Sequence, residues 1–174
     1  MQIAFLCSSS QIAKGLLREF HNHDKHHFYL FTRDPESFNN WIDSAKLNSP
    51  QVKLESFKKF NPSHEFDLIL NFIGFGDPAK ALKIGSKIFD ITYEYDQLVL
   101  DYLTFHPNTK YIFISSGVVY GDICKSPASI NSSSVININD LKHTDWYSMS
   151  KIYAESRHRA LEKFCIMDVR VFNY

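Results

Sequence analysis

The sequence has no excess of charge of either sign and no long hydrophobic run, and each absence excludes a class of protein. Its 19 basic and 19 acidic side chains balance, so no overall field attracts nucleic acid or an anionic membrane surface. No segment approaches the roughly 18 consecutive apolar residues of a membrane-spanning helix. The short apolar run after Met1 lacks the preceding basic residues of a signal peptide. We therefore expect neither nucleic acid nor a membrane as a partner.

Cysteine is scarce as well. Cys7, Cys124 and Cys165 lie far apart and form no Cys-x-x-Cys pair, which argues against a zinc framework and is typical of reduced thiols in a cytoplasmic protein. The histidine-rich stretch "HNHDKHH" (21–27) has the side chains of a metal site. It falls between a predicted helix and a predicted strand, where a solvated loop is the better interpretation. We expect no bound metal.

What the sequence does contain is typical of one folded domain, with 44% hydrophobic and 22% charged residues in 174. Short apolar runs predict strands, and the segments between them carry apolar residues at the three- and four-residue spacing of helices. Strands are predicted at 2–7, 27–32, 52–57, 67–74, 110–116 and 165–172, and helical patterns at 10–22, 36–47, 78–105 and 146–164. This alternation predicts an α/β fold, a Rossmann-like doubly wound parallel sheet of about six strands with helices on both faces.

Two polar segments complete the prediction. The Ser/Asn-rich stretch at 125–143 is long for a connection and predicts a surface loop, of the kind that often covers a ligand when it lies beside a site. The charged stretch "SRHRALEK" (156–163) predicts a solvent-exposed helix face.

Hydroxyl and amine groups converge at one predicted edge of the sheet. Ser115 and Ser116 end a predicted strand, and Tyr147 and Lys151 lie one turn apart on the last predicted helix. Ligands of open α/β sheets bind beyond the carboxyl ends of the strands. A nearby ammonium stabilises a tyrosinate, so Lys151 could lower the pKa of Tyr147 and let it act as an acid or base near neutral pH. The spacing alone also fits an amphipathic helix with a half-buried tyrosine and a solvated lysine.

Three motifs, in this order, resemble the extended short-chain dehydrogenases/reductases, the NAD(P)-dependent sugar-nucleotide epimerase/dehydratase family. They are "FISSGVVYGD", "YSMSK" and "VRVFNY", and "DLILNFIGFGD" is similar to the family's fourth strand. The resemblance implies that Ser116 holds the substrate oxygen, that Tyr147 is the acid/base, and that Lys151 binds the nicotinamide ribose. It implies hydride transfer between the cofactor and a carbon of a nucleotide-linked sugar.

The resemblance also assigns the substrate side of the site. Ser116, Gly117, Val118 and Asn173 are expected to meet the sugar nucleotide, and Phe172 and Asn173 lie at the strand end where cofactor and substrate meet. By the resemblance, dehydratases of the family have Thr-Asp-Glu at this strand end, and the acidic residues transfer protons when water is eliminated. Here Ser116 is followed by Gly117 and Val118, which cannot transfer protons. The sequence therefore argues against dehydration.

The cofactor turn departs from the family pattern. Where the family has Gly-x-x-Gly-x-x-Gly, this chain has "CSSSQIA", with Cys7, Ser10 and Ala13 at the glycine positions. A positive φ at Cys7 or Ser10 would cost about 1–2 kcal/mol of strain. The serines could receive phosphate at the helix N-terminus, or cap the helix, or do both. The expected cofactor contacts in this turn and helix are Ser8, Ser9, Ser10, Gln11 and Ile12.

The remaining cofactor contacts come from other strand ends. Thr32 and Arg33 stand where members that prefer NAD usually have an acidic residue, so NADP is favoured over NAD, although Asp34 could take the acidic role. Phe72 and Gly74 follow the fourth strand, and the resemblance places them with Phe172 beside the cofactor.

The chain stops at Tyr174, where family members continue into a small substrate-binding domain. We expect residues 1–174 to form one NAD(P)-binding domain with the C-terminal substrate domain absent, as a fragment of a longer protein or as a shortened member. The first hypothesis is an NAD(P)-dependent oxidoreductase or epimerase of nucleotide-linked sugars, in surface-polysaccharide synthesis. The alternative is a non-catalytic nucleotide-binding or scaffold protein. By resemblance, two helices of each subunit would form a homodimer interface.

Overall fold

Six parallel strands form a single sheet in the order β3-β2-β1-β4-β5-β6. The computed structural model describes residues 1–21, 25–74, 78–121, 127–134 and 136–172. The strands are β1 (Gln2–Leu6), β2 (His27–Thr32), β3 (Val52–Ser56), β4 (Leu68–Asn71), β5 (Lys110–Ser116) and β6 (Ile166–Val171). All six predicted strands are confirmed, with ends that differ by up to three residues.

The helices follow the predicted apolar periodicity. They are α1 (Gln11–Phe20), α2 (Pro35–Ser44), α3 (Pro78–Ile84), α4 (Lys87–Phe105) and α5 (Trp146–Ala160). The single helical pattern predicted over 78–105 divides into two helices at Gly85, whose φ of +61° is readily adopted only by glycine. The described part of the predicted loop at 125–143 has no regular structure beyond a 3₁₀ turn at Ile138–Asp140.

The sheet buries both of its faces, which explains the nearly continuous apolar strands. Along β1, Ile3 and Phe5 pack with residues of α1 and α2, whereas Ala4 and Leu6 pack with residues of α4 and α5. This alternation is the period of two that places successive side chains on opposite faces. The predicted Rossmann-like doubly wound fold is confirmed.

The strand order also fixes where a ligand would bind. The chain leaves β1 towards β2 and β3, and then crosses back to place β4 on the other side of β1. The carboxyl ends of β1 and β4 therefore border the topological switch point, where open α/β sheets form their binding crevice.

The prediction for "SRHRALEK" is wrong at one position. His158 is only 5% exposed and contacts two carboxylates, those of Asp96 and Asp168. Ser156 and Arg159 of the same stretch are exposed, as predicted. The sequence predicted a charged, exposed face because it does not show that the carboxylates of Asp96 in α4 and Asp168 in β6 lie opposite His158.

None of the helices in the described residues is long and apolar enough to cross a membrane. Within the same ranges, no group of three or more His, Cys, Asp or Glu side chains could hold a metal ion. The middle of the histidine-rich stretch, residues 22–24, lies outside the described residues.

Candidate functional site

A cleft of about 1090 Å³ opens at the carboxyl ends of β1, β4 and β5. One side is formed by the turn after β1 and the start of α1, and the other by α5 and the end of β6. The cleft therefore lies at the switch point of the sheet and joins the segments that the sequence predicted for cofactor and catalysis.

The turn after β1 has the backbone that the family's first glycine would take. Cys7 has a φ of +61°, the strained conformation that the sequence analysis considered. Ser10 instead has an extended backbone, and its hydroxyl oxygen accepts a hydrogen bond from Ala13 N at 3.2 Å as the N-cap of α1. Of the two residues named for strain, only Cys7 carries it.

The three serines of the turn take different directions. Ser9 and Ser10 line the cleft. Ser8 is buried, and its hydroxyl donates to the Phe31 carbonyl at 3.2 Å, so its side chain fastens the turn to β2 instead of facing the cleft. Burial raises the pKa of the Cys7 thiol, even though Ser9 hydrogen-bonds to it, and the neutral thiol is therefore favoured.

The predicted serine and tyrosine lie close together. The side chain of Ser116, at the end of β5, is near enough to the hydroxyl of Tyr147, near the start of α5, to favour its ionised form. Both residues line the cleft. Two residues that are 31 positions apart in sequence thus form one pair of hydroxyl groups.

Lys151 lies one turn further along α5 and is only 1% exposed. Its ammonium donates to the carbonyl of Ile73, beyond β4, at 2.9 Å and to the carbonyl of Ile114, in β5, at 2.8 Å. The Nζ atom also lies 4.2 Å from the centre of the Phe113 ring, a cation–π distance. The lysine joins α5 to two strands at the floor of the cleft, and the sequence-level alternative of a solvated lysine is wrong.

The pKa of Tyr147 differs from the sequence prediction, and that of Lys151 is shifted as well. Burial raises the pKa of Tyr147, and the nearby Ser116 side chain opposes that rise only in part. Burial lowers the pKa of Lys151 to about 7, although the surrounding Asp96, Cys7, Glu155 and Asp168 favour its charged form. The predicted lowering of the Tyr147 pKa by Lys151 is not found, because the ammonium is directed at carbonyl oxygens and lies 6.0 Å from the tyrosine ring centre.

A second buried contact holds α5 against β5 and β6. Ser115 donates to Glu155 at 2.6 Å, and the Arg170 guanidinium donates to the same carboxylate at 2.6 Å. Burial opposes the charge on Glu155, but the hydrogen bonds from Arg170, Ser115 and Arg159 leave its pKa below the usual value. The carboxylate fixes the end of β5 that carries Ser116.

The three residues at the end of β2 and just after it, Thr32, Arg33 and Asp34, have different surroundings. Arg33 lines the cleft, whereas Thr32 is buried and does not line it. Asp34 accepts a hydrogen bond from Ser37 N at 3.0 Å and caps α2. Of these three residues, Arg33 is therefore the one that faces the cleft.

The far end of the cleft is aromatic. Phe172 stacks on Tyr120 with ring centres 6.0 Å apart, and it covers Gly117 so closely that an added Cβ would lie 2.5 Å from the Phe172 ring. Gly117 is thus a packing position beneath Phe172 and does not line the cleft, whereas Val118 does.

Most of the predicted site residues come together in this one cleft. Those that line it are Ser9, Ser10, Gln11, Ile12, Arg33, Phe72, Gly74, Ser116, Val118, Tyr147, Lys151 and Phe172. Those that do not are Ser8, Thr32 and Gly117. Asn173 lies outside the described residues.

Two groups of residues that line the cleft were not predicted from the sequence. Ala81, Leu82, Gly85 and Ile88, from α3 and the start of α4, line it. His143, Thr144 and Trp146, just before and at the start of α5, also line it. No motif marks the first group, whereas the long loop that was expected to cover a ligand ends at His143 and could have pointed to the second.

Comparison with known proteins supports the same interpretation. Residues 8–174 match the family model described as the NAD dependent epimerase/dehydratase family. No curated protein sequence matches the chain.

Several solved structures share the fold. UDP-glucose 4-epimerase from Bifidobacterium longum, solved with NAD+ and UDP, has 16% identity and a TM-score of 0.75, over 98% of this chain and 52% of that one. UDP-glucuronic acid 4-epimerase from Bacillus cereus, solved with NAD, has 19% identity and a TM-score of 0.73, over 99% and 57%. A thiolation-reductase di-domain from an archaeal non-ribosomal peptide synthetase has 17% identity and a TM-score of 0.67, over 99% and 52%.

The chain spans about half the length of these solved structures, and at such identities the likeness shows the shared fold. The family model, in contrast, covers almost the whole chain. By that match, supported by a switch-point cleft lined by a serine, a tyrosine and a lysine, the chain belongs to the NAD dependent epimerase/dehydratase family.

Proposed function

We propose that this chain binds NADP or NAD and takes part in hydride transfer to or from a carbon of a nucleotide-linked sugar, as an oxidoreductase or epimerase. The observation that carries the proposal is that Ser116, Tyr147 and Lys151 line the same cleft as the start of α1, with Ser116 close enough to Tyr147 to influence its pKa. A nicotinamide cofactor, when bound, supplies or accepts the hydride. The chain's own residues then have to hold the substrate oxygen and move its proton.

The turn after β1 fits a pyrophosphate group in its backbone and only in part in its side chains. Cys7 supplies the left-handed backbone of a glycine position, and the N-terminus of the ten-residue helix α1 opens into the cleft. Such a helix end favours negative charge. The oxygen of Ser10 accepts the capping bond, so its own O–H is free to donate to a phosphate oxygen. Capping and phosphate binding are therefore compatible at this residue.

Tyr147 is suited to donate a proton at neutral pH. Burial raises its pKa, so the hydroxyl keeps its proton until a substrate oxygen becomes a stronger base. Ser116, which lies close to it, can hold the same oxygen. Lys151 has three N–H groups, of which two are directed at carbonyls, and the third would serve the cofactor ribose.

Arg33 favours NADP over NAD. Its guanidinium lines the cleft after β2, where a ribose 2′-phosphate would need a cation. The acidic alternative, Asp34, already caps α2 with its carboxylate. Two of the solved structures named above hold NAD, so the proposed preference for NADP rests on Arg33 alone.

The competing function is a non-catalytic nucleotide-binding or scaffold protein. It is favoured by the turn after β1, where each of the three glycine positions of the family carries a Cβ atom. A phosphate that approaches this backbone meets more side-chain atoms than it would over glycine. Cofactor binding separates the two functions more directly than catalysis does.

We also propose that the chain forms a homodimer through α4 and α5. Tyr93 and Tyr153, which are 42% and 40% exposed, lie with ring centres 6.1 Å apart on the outer face of these helices. The Arg157 guanidinium stacks over Tyr93 at 4.8 Å. Exposed aromatic residues with an arginine are the composition of interface centres.

The deciding experiment is titration of the purified chain with NADPH and NADH, followed by nicotinamide fluorescence and by thermal stability. At a free cofactor concentration of 100 times Kd, binding should stabilise the chain by about 2.7 kcal/mol. Arg33→Ala should weaken NADPH binding more than NADH binding. In a mixture with NADP or NAD and UDP-glucose as the probe, Tyr147→Phe should lower any turnover by about 100-fold or more, while Tyr153→Phe should not.

Absence of binding for both cofactors at millimolar concentration would rule out the oxidoreductase proposal for this chain. Binding of a cofactor with no turnover in either the parent or Tyr147→Phe would favour the non-catalytic alternative.

A further inference from the structure

A chain of buried hydrogen bonds leads away from the site on the side of Lys151 that faces the sheet. Ile73 N donates to the side-chain oxygen of Asn71, Oδ1, at 2.9 Å, and the side-chain nitrogen of Asn71, Nδ2, donates to the Tyr111 hydroxyl at 2.9 Å. The Tyr111 hydroxyl donates in turn to Asp96 at 2.9 Å. Asn71, Tyr111 and Asp96 are all fully buried, so each bond is formed away from water. Because a buried polar group that loses its partner is destabilised, each member of such a series holds its neighbours in place.

Ile73 is the residue through which this series of buried hydrogen bonds reaches Lys151. Its N–H is held by Asn71, and its carbonyl receives the Lys151 ammonium at 2.9 Å. Both main-chain polar groups of Ile73 are therefore fixed from opposite sides. A shift of this residue would move the oxygen that the ammonium contacts.

Asp96 anchors the far end. Its Oδ1 atom accepts from Tyr111 and also contacts His158 Nε2 at 2.8 Å, and its Oδ2 atom accepts from Arg157 at 3.1 Å. His158 is held on its other nitrogen by Asp168 at 2.5 Å. The chain of bonds ends on a carboxylate that α5 and β6 hold in place, instead of on a mobile side chain.

We propose that this buried chain of side chains, which ends on Asp96, positions Lys151 by fixing the main chain at Ile73. The inference rests on the proposed function of Lys151 in the site, and it assigns positioning residues that do not touch cofactor or substrate. The same carboxylate acts on Lys151 through space.

The charges that face Lys151 come from every element around it. On its own helix they are Tyr147 and Glu155, and from the other elements they are the Cys7 thiol in the turn after β1, Asp96 in α4 and Asp168 in β6. After the opposing effect of burial, Asp96 has the largest influence on the Lys151 pKa and favours the charged ammonium. Removal of the Asp96 charge should therefore make the ammonium easier to deprotonate.

The test follows the Lys151 side chain directly, by NMR of the chain labelled with ¹⁵N and ¹³C in its lysines. Lys151→Arg identifies the Lys151 signal, and the titration is recorded from pH 5 to pH 10 without added cofactor. Tyr111→Phe removes only the hydroxyl that joins Asn71 to Asp96. We expect the Lys151 signal and its titration midpoint to move in this variant.

Tyr102→Phe is the matched control. Tyr102 is also buried, and its hydroxyl also makes two hydrogen bonds, accepting from Phe66 N at 2.8 Å and donating to the His64 carbonyl at 2.9 Å. Its loss should lower thermal stability about as much as Tyr111→Phe does, but leave the Lys151 signal unchanged. A folded Tyr111→Phe protein with the parental Lys151 signal would overturn the proposal.

If Tyr111→Phe does not fold, Asp96→Asn provides the second measurement. It keeps an oxygen for the tyrosine hydroxyl and removes the charge, so the Lys151 midpoint should fall below that of the parent. An unchanged midpoint in Asp96→Asn would overturn the proposal as well.

Because this readout needs no cofactor, it separates failure of the positioning inference from failure of the proposed function. If the parent binds NADPH, Tyr111→Phe should raise the Kd severalfold and Tyr102→Phe should not. If the parent binds no cofactor, the Lys151 signal still decides whether the buried chain positions the lysine.

Discussion

Two buried cationic side chains on the same face of α5 have pKa values shifted in opposite directions. Lys151 and His158 are seven residues apart and are 1% and 5% exposed. Burial lowers the pKa of Lys151 to about 7. Burial also opposes the charge on His158, but its hydrogen bonds to Asp168 and Asp96 raise its pKa to about 9.

The difference lies in the partners. Lys151 is directed at two neutral carbonyl groups, whereas His158 lies between two carboxylates. A buried ion paired with an opposite charge keeps its charge, and one that contacts only dipoles is easily neutralised. The paired end of α5 therefore holds structure together, and the end at the cleft has a lysine that can gain or lose a proton near neutral pH. Shifted pKa values of this kind are enriched at functional sites.

The largest expected effect on stability comes from removing His158 from between its two carboxylate partners. His158→Leu leaves Asp96 and Asp168 without the cation between them, and it should cost about 3–5 kcal/mol of unfolding free energy at pH 7. Urea unfolding measures this cost. His27→Leu, which removes an exposed histidine, is the control and should change stability little.

The pH dependence of the same variant tests the cause. The folded-state pKa of His158 lies above its ordinary value of 6.5, at about 9, so its contribution is fully present below pH 6.5 and is lost as pH rises through 9. The stability gap between parent and His158→Leu should narrow across that window. A gap of constant size would mean that lost packing, and not charge pairing, explains the cost.

The contribution of Lys151, at the cleft end of α5, to the free energy of unfolding should depend on pH in the opposite direction. The pKa of Lys151 falls from 10.5 to about 7 on folding, so between these values the unfolded chain binds more protons and stability rises with pH. From pH 7 to 10.5 the parent should gain stability relative to Lys151→Met, at a rate that approaches about 1.4 kcal/mol per pH unit. Parallel curves for the two proteins would contradict the lowered pKa, and the exposed Lys163→Met should run parallel to the parent.

A smaller effect would sharpen the comparison at the cleft alone. A Cβ at Gly74 would lie 3.0 Å from Lys151 Nζ, so Gly74→Ala should displace the ammonium at a stability cost of about 1 kcal/mol. The Lys151 NMR signal should shift, and NADPH binding should weaken severalfold. Gly117→Ala, whose added Cβ meets the Phe172 ring instead, should leave the Lys151 signal in place.

Much of the fold and of the site can be predicted from sequence because the signals are local. Strand positions follow from short apolar runs, and the Tyr147–Lys151 spacing follows from one helical turn. The resemblance of "FISSGVVYGD" and "YSMSK" to family motifs assigned Ser116 and Tyr147 to one site, and both residues line the same cleft. The wall formed by α3 and the start of α4 has no local motif, and therefore the sequence analysis missed it.

The sequence by itself determined the alternation of strands and helices and the sheet buried on both faces, because periodicity is a property of neighbouring residues. The three polar residues of the candidate site came from the resemblance of short motifs to a known family. Only the tertiary structure decided the charge states of the two buried side chains of α5, His158 and Lys151. It placed carboxylates from α4 and β6 around His158, and carbonyls of Ile73 and Ile114 at Lys151. These partners lie up to 78 residues away along the chain, and the state of a buried charge depends on what the fold brings within a few ångströms of it.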